Sequence, residues 1–75
     1  MGLYRDYLFV CDDVIKIFDV SIAENPVLIH SLDKMCFDVI IKDNTLFAIG
    51  ETGMYRYGLN ETDITDIILK SSITF

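Results

Sequence analysis

Apolar residues along the chain fall into short runs, each closed by a polar or turn-forming pair, and none keeps helical spacing beyond two turns. That length and a β-branched, aromatic composition predict strands. The first predicted strand is Tyr7–Cys11, stopped by Asp12-Asp13. A second, over residues 15–20, alternates at Ile15 and Ile17. Asn25-Pro26 marks the clearest connector, because proline donates nothing to a ladder. Val27–Leu32 follows, then residues 37–42. Asp43-Asn44 reads as a tight hairpin turn, both residues tolerating left-handed backbone. Thr45–Ile49, residues 54–59 and residues 67–71 complete seven strands, the last with room to run on to Phe75. The polar connector over residues 60–65 leaves space for a short helical turn.

Several of these strands are apolar on both faces, as in Val39-Ile40-Ile41 and Ile67-Ile68-Leu69. A sheet with one wet face alternates; an unbroken apolar run needs cover on both sides. The predicted class is therefore an all-β antiparallel meander whose sheets are stacked.

A second pattern sharpens this. Asp6-Tyr7-Leu8-Phe9-Val10-Cys11 aligns with Asn44-Thr45-Leu46-Phe47-Ala48-Ile49 at an offset of 38 residues, and residues 15–21 align with residues 54–60 at 39. A period near forty with four short strands per unit is the spacing of β-propeller blades, typically about 40–45 residues each. By this count residues 1–35 hold three strands of one blade and residues 36–75 a four-stranded blade.

The residues that carry this repeat also resemble the LVIVD-repeat family. The likeness lies in Tyr7-Leu8-Phe9-Val10, in Ile15-Lys16-Ile17-Phe18-Asp19-Val20-Ser21 and in Asn25-Pro26-Val27. It returns in Phe37-Asp38-Val39-Ile40-Ile41 and Leu46-Phe47-Ala48-Ile49. It spans nearly the whole chain and is weaker in the second unit, where Asp19-Val20-Ser21 becomes Gly58-Leu59-Asn60 and the Asn-Pro is lost. The family's glycine before the third strand is absent at Val14 and present at Gly53. Such decay is expected of a terminal, capping repeat. The resemblance implies a β-propeller of a secreted, periplasmic or surface-linked bacterial or archaeal protein, and it brings no catalytic residue with it.

Composition bears on partners. In 75 residues, 52% are hydrophobic, and twelve acids against six bases give a net charge of −6. The isolated bases Arg5, Lys16, Lys34, Lys42, Arg56 and Lys70 form no stripe that would neutralise phosphates or an anionic membrane surface. No apolar run approaches the roughly 20 residues that span a bilayer. Residues 1–6 have neither the basic start nor the apolar stretch of a signal peptide. Cys11 and Cys36 fall in different predicted segments; the expectation is two free, buried thiols, although sequence does not say whether they meet.

Candidate chemistry is thin. Asp12-Asp13 and Asp43-Asn44 lack the further oxygens that a calcium loop requires and read as turns. Cys36 with His30 lacks a group to orient the imidazole or form an oxyanion site. Asn60-Glu61-Thr62 fits the glycosylation acceptor pattern, but the connector also needs polar turn formers. Phe9, Phe18, Phe37, Phe47, Tyr55 and Tyr57 read as filling between sheets rather than a sugar-stacking platform, with one of Tyr55 and Tyr57 expected to face outward. The sequence therefore nominates no catalytic, cofactor-binding or metal-binding residue.

The reading it favours is a non-catalytic propeller fragment acting as structural or interaction scaffold. Its partners would be the remaining blades of a parent propeller or other copies of itself. The alternatives are part of a larger propeller enzyme or ligand-binder, with Asp12, Asp13 and Glu51 near its site, and a seven-stranded sandwich that binds by edge addition.

Overall fold

The computed structural model describes residues 1–75 and contains eight strands and no helix. They are β1 (Gly2–Tyr4), β2 (Tyr7–Cys11), β3 (Ile15–Asp19), β4 (Val27–Leu32), β5 (Asp38–Lys42), β6 (Thr45–Ile49), β7 (Gly53–Gly58) and β8 (Ile68–Thr74). Two antiparallel four-stranded sheets follow in chain order, β1-β2-β3-β4 and β5-β6-β7-β8. The first unit thus has four strands where three were expected. The additional one, β1, is only three residues long and turns into β2 through Arg5-Asp6.

The two sheets are built to one plan. Arg5 (φ 54°) and Asp43 (φ 55°) are the only non-glycine residues with left-handed backbone, and they occupy the same turn of each unit. Val20 N–H donates to Asp6 O and Leu59 N–H to Asn44 O, both at 2.8 Å and both at equivalent positions. Gly2 faces Phe9 as Ile40 faces Phe47; Leu8 faces Phe18 as Leu46 faces Tyr57. Even the bulge recurs, at Ile17/Phe18 in the first sheet and Arg56/Tyr57 in the second. A bulge re-aims a strand at a fixed point, so its repetition keeps β4 and β8 in matching register. At Gly53 a side chain would force β8 to move, since a Cβ there would lie 2.5 Å from the Ile73 carbonyl oxygen.

Each sheet has two faces, and the equivalent phenylalanine and leucine of β2 and β6 name them. The Phe face carries Phe9 in the first sheet and Phe47 in the second; the Leu face carries Leu8 and Leu46. The first sheet buries its Phe face, through Tyr4, Phe9, Ile15 and Ile17. The second buries its Leu face, through Val39, Leu46, Ala48 and Tyr57. The sheets therefore stack in the same sense, Phe face on Leu face. Approach is closest where β5 lies against β1 and β2; Gly2 permits it, since a Cβ there would lie 3.1 Å from Ile41 Cδ1. The far edge is open, and β8 is exposed along its whole length.

A disulfide joins Cys11, at the end of β2, to Cys36 in the connector between the sheets. This corrects the expectation of free thiols. The Cα atoms are 5.4 Å apart, well within the range a bridge spans. The connector also brings Lys34 Nζ to 5.0 Å from the centre of the Tyr55 ring, a cation–π contact.

Candidate interaction faces

Strand alternation decides which side chains remain outside. On the first sheet, the Leu face presents a row across all four strands: Leu3, Leu8, Phe18 and Leu28. Its repeat counterpart in the second sheet is the row Ile41, Leu46, Tyr57 and Leu69. There Leu46 is fully buried and Tyr57 nearly so, whereas their counterparts Leu8 and Phe18 are only half-buried; at the row ends Ile41 is half-buried against exposed Leu3, and Leu28 and Leu69 are both exposed. The same chemistry thus lines a core in one sheet and a surface in the other.

The opposite end of the stack mirrors this. The second sheet's Phe face carries Ile40 beside Phe47, and Ile49 beside Met54 and Ile73. Ile40 is 52% exposed and Ile73 54%. Their counterparts in the first sheet include fully buried Phe9 and Ile15. Charge interrupts this face: Asp38 stands opposite Ile49 at one end, Lys42 at the other and Arg56 opposite Phe47, the last two in the positions of Tyr4 and Ile17. Arg56 Nε donates to Ser71 Oγ at 3.1 Å, which fixes the guanidinium along the β7–β8 pair. Monomeric proteins rarely expose large contiguous apolar patches, and those that do use them as interaction sites.

The residues weighed for chemistry are dispersed. Asp12 accepts from Lys16 Nζ at 3.0 Å, which holds its carboxyl below the usual range. Asp43 makes the β5–β6 turn, and its neighbour Asn44 accepts a 2.7 Å hydrogen bond from the Tyr4 hydroxyl, tying one sheet to the other. Glu51 sits in the turn closed by Gly50 N–H to Gly53 O. Cys36 has no thiol to ionise, being in the disulfide. His30 lies on β4 opposite Ile17. Asn60 Oδ1 accepts from the Thr62 amide and hydroxyl, so the acceptor-like triplet serves as a turn. Asp63 does the same with Thr65, and the Thr65 hydroxyl and amide lower its pKa.

The aromatic set divides. Phe9 and Tyr57 are core; Phe18 and Phe47 lie half-buried on the two outward faces; Phe37 is exposed in the connector. Tyr55 and Tyr57, two apart on one strand, share the inward face and Arg56 points out, so the expectation of an outward tyrosine is corrected. Burial pushes the Tyr57 phenol up. Beyond these, a shallow depression of about 300 Å³ opens between Asn60 and Asp66, with Lys70 across it. A neighbouring one of about 420 Å³ reaches Asn44 and Arg56. The first mixes the acids Glu61 and Asp66 with Lys70; the second is lined by Arg56 and Lys70 with no acid, and both are shallow and open. No three His, Cys, Asp or Glu side chains converge closely enough to hold a metal ion. No helix is long and apolar enough to cross a membrane.

Compared with protein-family models, curated proteins and solved structures, the chain matches none significantly. The two outward faces leave Leu3, Leu28, Ile40 and Ile73 about half or more exposed.

Proposed function

We propose that the chain is two blades of a β-propeller-type repeat and that it works as a non-catalytic scaffold, offering sheet faces to further blades. The observation that carries this reading is the sense of the stack. Two identical plans bury opposite faces, so the joint ends in an uncovered Leu face at one side and an uncovered Phe face at the other. A closed sandwich burying the same face of both sheets would leave no such pair. The closer approach along β5, with β8 left open, is the wedge expected of blades set around an axis. The LVIVD-like sequence pattern agrees with this reading. So does the Cys11–Cys36 disulfide, which belongs in an oxidising compartment.

Repeat arrays gain stability from each nearest-neighbour interface. Two full chains joined in tandem, through a linker as long as the 33–37 connector, should therefore melt at a higher temperature than one chain. The new Phe-on-Leu joint should also protect the amides of β6 and β7 in the first copy from hydrogen exchange. Equal melting temperatures and unchanged exchange would refute the repeat-scaffold reading.

A further inference from the structure

Resting on that reading, we infer that the uncovered Leu face of this protein is covered by the Phe face of a second copy of the same chain, in a head-to-tail assembly. Each copy carries one free face of each kind. The row Leu3, Leu8, Phe18 and Leu28 repeats, strand for strand, the row Ile41, Leu46, Tyr57 and Leu69, whose two central members are buried inside the molecule. Within the molecule, that second row is covered by the Phe face of the neighbouring unit. The free Phe face, with Ile40, Phe47, Met54 and Ile73, is the second instance of that covering surface.

The equivalence predicts the contact. Inside the chain, Gly2 lies on Ile41 and Val39. Transposed to the joint between copies, Ile40 takes the place of Gly2 and Leu3 that of Ile41, so Ile40 of one copy meets Leu3 of the next. Ile40 is bulkier than Gly2, and Arg56 replaces Ile17, so this joint closes less tightly than the internal one. Copies of net charge −6 repel one another, so added salt strengthens the joint. Because the two surfaces differ, the interface is heterologous and continues to a ring or an open filament.

The test uses purified full-length chain and sedimentation equilibrium. Wild type should show an average mass rising with concentration to at least twice the 8.6 kDa monomer. Leu28→Glu blocks the Leu face and Ile40→Glu blocks the Phe face; both positions are about half exposed, so circular dichroism should show both variants folded. Leu3→Glu serves if Leu28→Glu does not fold. Each variant alone should be monomeric, and an equimolar mixture should form heterodimers and nothing larger, because each retains the face the other lacks. Mixed Leu3→Cys and Ile40→Cys chains should cross-link to each other and not to themselves. A monomeric wild type overturns the inference, while a raised melting temperature in the tandem chain would leave the scaffold reading standing. If Leu28→Glu dissociates the assembly but Ile40→Glu does not, copies pair Leu face to Leu face, and the head-to-tail inference fails.

Discussion

Phe9→Ala should cost about 3–5 kcal/mol, the usual range for emptying a buried aromatic site, while Phe47→Ala should cost less, about 2 kcal/mol, because its site opens to solvent and leaves no closed cavity. The two phenylalanines occupy the same position in their repeats. Phe9 is fully buried between the sheets, and Phe47 lies only partly buried on the outward face. Sequence chemistry alone would rank them equally; the stacking sense separates them. A chain of 75 residues has a total stability of roughly 4–11 kcal/mol at typical per-residue values. Phe9→Ala therefore removes much of it and lowers the melting temperature by on the order of 20 °C. Leu46→Ala against Leu8→Ala should show the same contrast, with the large effect in the second sheet. Urea titrations, run at dilution that keeps the chain monomeric, measure all four. Equal losses at Phe9 and Phe47 would mean that the two Phe faces are not buried differently.

Removing the disulfide is the second large perturbation. Cys11 and Cys36 are separated by 25 residues, and the loop-closure estimate for a loop of that length is about 3.5 kcal/mol. The bridge ties the end of β2 to the connector that delivers β5, and β5 is the strand in closest contact with the first sheet. The double variant Cys11→Ala, Cys36→Ala should therefore unfold at a markedly lower urea midpoint, and reductant should shift wild type to nearly the same value. Identical midpoints with and without reductant would show that the bridge does not constrain the unfolded chain.

Most of the strand pattern was legible because each run is bounded by chemistry with a local consequence. Asp12-Asp13, Asn25-Pro26 and Asp43-Asn44 end strands wherever they occur, and Tyr7–Cys11, Val27–Leu32 and Thr45–Ile49 fall where the pattern sets them. β1 escaped because Gly2-Leu3-Tyr4 has no strand signal of its own. Extending the repeat backwards would have found it, since Gly2-Leu3-Tyr4 aligns with Ile40-Ile41-Lys42 and Arg5 with Asp43. The disulfide was hidden for a different reason. Cys36 lies in the connector, outside the repeat, and its approach to Cys11 depends on how one sheet is laid on the other. Likewise, both-sided apolar strands announce that two faces need cover without saying which face is covered within the chain.

The claim on which all this depends is that the first sheet's Phe face lies on the second sheet's Leu face. Nuclear Overhauser spectroscopy on dilute, methyl-labelled protein tests it most directly. The Gly2 α-protons should show strong cross-peaks to the Ile41 δ-methyl and weaker ones to Val39, whose Cγ2 lies 3.6 Å from where a Gly2 Cβ would be. Cross-peaks between the Leu8 and Leu46 methyls that persist on dilution would instead place Leu face on Leu face, and would contradict the account.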